Sequence, residues 1–194
     1  MNITMDNKTI NIMNETMKKV GSIATYDMSD MEDVLMAGML TEEEDANIGL
    51  QERMRISRLL RKTVLNEYIQ IINYSEVLAD EYIISGLTEK NESILKNEIK
   101  NSIRRILIQE TNQVNRIIIR KIQEEMENRP ITMDERISLV DELYMDILSK
   151  YRCNNSTSKM INESVDKLVR ILKMNISNDE STLIVILRVN SIGF

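Results

Sequence analysis

The chain is 194 residues long, 42% hydrophobic and 29% charged, with a formal net charge of −6 at pH 7. That length and balance suit a globular chain burying about two-thirds of the surface it would expose unfolded. With no histidine and a single cysteine, Cys153, it excludes a Ser-His-Asp triad, a Cys-His pair, His-ligated zinc or haem, a thiolate cluster within one chain and an internal disulfide.

Asn and Ile, both read from AT-rich codons, are abundant, which fits a virus, a phage or an AT-rich cell. Asp6 and Lys8 interrupt the early apolar residues, so no secretory leader is expected. Leu183 to Leu187 is far too short to span a bilayer and Arg188 ends it, so no membrane span is expected. The lone cysteine points to a reducing cytoplasm, or to a host cytoplasm or virion for a viral source.

The fold class expected is all-α, a bundle of five to seven helices built around one long central helix at about 89–128 and preceded by a mobile acidic arm. Glycine (five) and proline (one) are scarce enough for their places to matter. Capping boxes, in which a Ser or Thr side chain and a Glu three residues on bond each other's backbone, occur at Ser29/Glu32, Thr41/Glu44, Thr132/Glu135 and Ser177/Glu180. In chain order, a first helix is predicted over 8–20, with Ile10, Met13, Met17 and Val20 on one face. An acidic, Met-rich stretch follows over 26–47, an arm with short helices. A longer helical stretch runs over 50–85, bent or broken near Tyr74. No breaker stands between Gly86 and Pro130, so one helix is predicted over 89–128, on the order of 60 Å long at about 1.5 Å per residue. Further helices are predicted over 133–152 and 159–174, linked by polar residues 153–158. The tail at 182–194 is β-branched, but the Ser177 cap favours a helix there.

Charge divides the chain into an arm, 1–48, and a body, 49–194. The arm holds three Lys against ten Asp and Glu, a net of −7; with −6 for the whole chain, the body carries +1.

Five features bear on function. On the long helix, Leu95, Ile99, Ile103, Ile106, Leu107, Val114, Ile117 and Ile118 share one face. The stripe is either the core of an antiparallel bundle or, given the helix's length, a surface that pairs with another chain as in a coiled coil. The cluster Arg53, Arg55, Arg58, Arg61 and Lys62 puts Arg55, Arg58 and Lys62 along one stripe suited to phosphates. A sequence pI near 5.0 and the few aromatics count against nucleic acid as the partner. The acidic residues 27–45 are candidates to fold back onto that stripe.

Arg61 and Glu110 fall on apolar faces, where each needs a partner or an exit to water, and one option is that they pair. Glu124-x-x-Glu127 followed by Glu142 resembles, in part, the carboxylate spacing by which MazG-type all-helical nucleotide pyrophosphohydrolases hold Mg²⁺. The fourth ligand position falls on Met145, with Asp146 one place late, so the resemblance covers three of four positions. Met28, Met31, Met36 and Met39 read as a docking element or a linker.

The function expected is a non-enzymatic helical interaction or assembly protein, viral or phage in flavour. It would self-associate or bind a partner helix through Leu95, Ile99, Ile103, Ile106, Val114, Ile117 and Ile118, with no cofactor or metal. The alternatives are a nucleic-acid-associated factor using Arg53, Arg55, Arg58 and Lys62, and a Mg²⁺-dependent nucleotide hydrolase.

Overall fold

The computed structural model describes residues 28–152, 154–175 and 184–185. They are predominantly helical, in six helices: α1 (Met28–Met39), α2 (Glu42–Asn47), α3 (Leu50–Asp80), α4 (Glu89–Asn128), α5 (Met133–Arg152) and α6 (Asn155–Asn175). Two short extended pieces, β1 (Ile84–Ser85) and β2 (Ile184–Val185), pair antiparallel, Ile84 opposite Val185 and Ser85 opposite Ile184. No helix among the described residues is long and apolar enough to cross a membrane.

The helix ends follow from local chemistry. Thr41 Oγ1 accepts the Glu44 amide at 3.1 Å, and the Glu44 carboxylate accepts the Thr41 amide at 2.9 Å. This starts α2, whose first turn, Glu42 to Asp45, is wholly acidic and so complements the helix dipole. Thr132 and Glu135 repeat the box at 3.2 and 3.0 Å and start α5. Gly86 turns the chain into α4 at φ 88°, a conformation that favours glycine, and Thr88 Oγ1 then accepts the Asn91 amide.

The chain divides into two compact units. One comprises residues 28–71 and 108–152. Its core joins Met31, Leu35, Met36, Met39 and Leu40 to Ile56, Leu60 and Val64 of α3, to Val114, Ile118 and Ile122 of α4, and to Ile137, Val140, Tyr144, Ile147 and Leu148 of α5. Gly38 is required where α1 meets α4, because a Cβ there would lie 2.5 Å from the Ile119 side chain. The other unit comprises residues 72–107, 154–175 and the β2 pair. It buries Leu78, Leu95, Ile99, Ile103, Ile106, Ile161, Val165 and Leu168. Tyr82 donates to the Asn162 side chain at 2.9 Å, and the Lys96 ammonium donates to the carbonyls of Ala79, at 2.7 Å, and Tyr82.

Four details depart from the sequence reading. First, the acidic stretch holds the short helices α1 and α2, as expected of the arm, but Met31, Met36 and Met39 are core, because each falls on the buried side of α1. Second, α3 is continuous through Tyr74 and ends at Asp80. Third, α6 starts at Asn155, ahead of Lys159, because the Asn154 side chain accepts the Ser156 amide at 3.1 Å. Fourth, Ile184 and Val185 are extended rather than helical, since the chain supplies a pairing segment at Ile84–Ser85 that the sequence did not signal. Ser29 stands inside the first turn of α1, and the helix predicted over 8–20 and the cap at Ser177 lie outside the described residues.

Candidate functional site

The apolar stripe of the long helix faces inward. Leu95, Ile99, Ile103, Ile106, Val114 and Ile118 are buried, and Ile117 is half-buried against the core. The sequence offered two readings for this stripe, and six of its seven side chains, all but the half-buried Ile117, are buried as bundle core would be.

The basic stripe of α3 is partly neutralised within its own unit. Arg53 meets Asp45 at 2.6 Å, and Arg55 is held between Glu52 and Asp134, each at 2.7 Å. Those two carboxylates hold the Arg55 guanidinium well above its ordinary pKa, and Arg55 holds Glu52 below the usual carboxylate value. Arg58 and Lys62 are exposed and have no ion pair among the described residues. From the acidic stretch, Asp45 reaches Arg53, and Glu32, itself buried, accepts from Ser57 and from Arg61 at 2.9 Å; neither touches Arg55, Arg58 or Lys62. Glu44 accepts from Arg136 at 2.7 Å, and that contact holds its carboxyl below its ordinary value. Arg61 therefore pairs with Glu32, where sequence had offered Glu110, and Glu110 is buried.

A buried ion pair was not foreseen. Glu67 of α3 and Arg152 of α5 face each other, and each side chain is only 2% exposed. Thr111 of α4 joins them, accepting from Arg152 at 2.9 Å and donating to Glu67 at 3.5 Å. Burial pushes the Arg152 guanidinium down, to about 10, so it stays cationic at neutral pH. The only sequence signals were Glu67 at an apolar position of α3 and an arginine at the end of α5, both easily read as surface charges.

Above this pair, α3 and α5 enclose a shallow cleft of about 240 Å³ lined by Lys62, Thr63, Asn66, Glu67, Gln70, Asp141, Tyr144 and Met145. Thr63 bonds Asp141 across it. Tyr144 is buried, its hydroxyl has no partner among the described residues, and burial raises its pKa. The lining brings the charged groups of Lys62, Glu67 and Asp141 together with the hydrogen-bonding side chains of Thr63, Asn66, Gln70 and Tyr144. Glu124, Glu127, Glu142 and Asp146 are all exposed, and no group of three acidic or sulfur ligands able to hold a metal ion is found among the described residues.

The outward faces of the same two helices remain open. On α3, Leu50 (74% exposed), Met54, Leu65 and Ile69 alternate with Arg58 and Lys62. On α5, Met145 (59% exposed) stands among Asp141, Glu142 and Asp146. Compared with known proteins, the chain matches no family model, no curated protein and no solved structure.

Proposed function

We propose that this is a non-enzymatic helical interaction and assembly protein whose contact surface is the open face of α3 and α5. One observation carries the reading: on α3, Leu50, Met54, Leu65 and Ile69 stay exposed along a helix whose opposite side, Ile56, Leu60 and Val64, is fully used as core. Single exposed apolar residues are ordinary on a protein surface, whereas a row of them at helical spacing suits a helix-in-groove or helix-on-helix contact. The surface we propose is thus on α3 rather than on the long helix, the pairing surface the sequence offered as one of two readings, and the class of function is the same.

The test is solution mass by light scattering after size exclusion, at low and high salt, for the native chain and for Leu65→Glu/Ile69→Glu. A dimer or larger species that persists at high salt and is lost in the variant, with helicity by circular dichroism unchanged, is the expected result. A native chain that stays monomeric into the submillimolar range refutes self-assembly.

A further inference from the structure

The open face is sorted by charge. α3 presents Arg58 and Lys62, and α5 presents Glu142 and Asp146. At about 100° per residue, Arg58, Lys62, Leu65 and Ile69 fall together on the side of α3 away from its core, and Glu142, Met145 and Asp146 do so on α5. The two strips are neighbours, because Asp141 of α5 bonds Thr63 of α3 and Asp134 bonds Arg55. Arg58, Lys62 and Glu142 have no ion pair among the described residues, and Asp146 has only the exposed contact to Lys150 one turn on.

We infer that the occupant of this face is a second copy of this chain, related by a two-fold axis, with α3 of each copy lying along α5 of the other. The inference rests on the interaction reading above and adds the partner and the pairing. Charge decides it. Packing α3 on α3 about an axis near Arg58 and Lys62 would bring those cations together, and α5 on α5 about an axis near Glu142 and Asp146 would do the same with the carboxylates. Like charges facing each other at an interface are strongly disfavoured. The crossed arrangement satisfies both strips at once and is the self-complementary contact that a two-fold dimer requires. Leu65, Ile69 and Met145 supply the apolar part, and the cleft between the helices has room for a long side chain from the other copy.

Sedimentation velocity on the full chain tests this with two variants, Arg58→Glu/Lys62→Glu and Glu142→Lys/Asp146→Lys. All four positions are exposed, so the variants should keep native helicity and melting temperature. Should either fail to fold, the neutral pair Lys62→Gln and Glu142→Gln takes its place. The expected result is a dimer for the native chain and self-association weaker by at least about tenfold for each variant alone. An equimolar mixture of the two should recover a dimer containing one of each, because all-acidic faces then meet all-basic ones. A native chain that is monomeric throughout overturns the assembly reading and this pairing with it. A dimer indifferent to both reversals overturns the pairing alone. Weakening by one reversal only, with no recovery on mixing, also overturns it, because that strip would then meet some other surface of the second copy.

Discussion

Removing one half of the Glu67–Arg152 pair should be among the most damaging single changes available in its unit, and the two halves should behave differently with pH. Both side chains are 2% exposed, so whichever charge is left has no water to turn to. Breaking such a pair typically costs about 3–5 kcal/mol. In Glu67→Leu the orphan is a guanidinium, which keeps its proton and must remain a buried cation or drag the end of α5 open. In Arg152→Met the orphan is a carboxylate, which can escape by taking a proton. Burial without its partner raises that carboxyl's pKa, at about 1.36 kcal/mol of folding free energy for each unit. The folded-state pKa is then raised above the unfolded value, so the folded chain holds more protons and stability rises as pH falls from 7 towards 4.5. The cost of Arg152→Met should therefore shrink over that window, relative to the native chain, while the cost of Glu67→Leu should not. The double variant Glu67→Leu/Arg152→Met leaves no charge behind and should fall within about 1 kcal/mol of native, or exceed it. Urea unfolding followed by circular dichroism at several pH values reads all three. Single variants costing under about 1 kcal/mol, or a double variant as unstable as the two singles added, would refute the reasoning.

Gly38→Ala gains about 1 kcal/mol of helix propensity yet should destabilise by about 1–3 kcal/mol, because the new methyl meets Ile119; Ile119→Ala in the same chain should relieve part of the loss, read by thermal melts. Tyr144→Phe should be neutral or stabilising in urea unfolding, since the hydroxyl it removes is buried without a partner, and a loss above about 1 kcal/mol would show that the hydroxyl is bonded. Glu44, held below its ordinary pKa by Arg136, contributes stability that is present above pH 4.5 and lost as pH falls through its lower folded value; Glu44→Gln should flatten the acid limb of the stability curve there. A charge placed by Val114→Asp should unfold the unit rather than dissociate an oligomer, because that residue is fully buried; a folded monomeric variant would return the long-helix stripe to the surface.

Helix content was legible because it is written locally. The ends of α4 and α5 at Glu89, Asn128, Met133 and Arg152 stand where the absence of breakers, Arg129-Pro130 and the Thr132 box put them. Asn154 capped α6 unnoticed because asparagine is too common in this chain to stand out. What stayed hidden is what depends on partners distant in sequence. The Ser177 cap tipped Ile184 and Val185 towards helix, and only Ile84 and Ser85 beside them make them a strand.

The same limit governs the candidate site. Periodicity shows that a helix has an apolar face but not whether the chain itself covers it, and the long helix has the cleaner face because its own chain uses it. On α3 the exposed row Leu50, Met54, Leu65 and Ile69 was blurred into the core row Ile56, Leu60 and Val64, and in one sequence the two merge into a broad apolar helix. Arg61 shows how the ambiguity resolves. Read against α3 alone it interrupts an apolar face, but beside α1 its guanidinium reaches the buried carboxylate of Glu32. Arg61 is thus tied to α1 through Glu32, while Arg58, Lys62, Leu65 and Ile69 on the other side of α3 stay exposed.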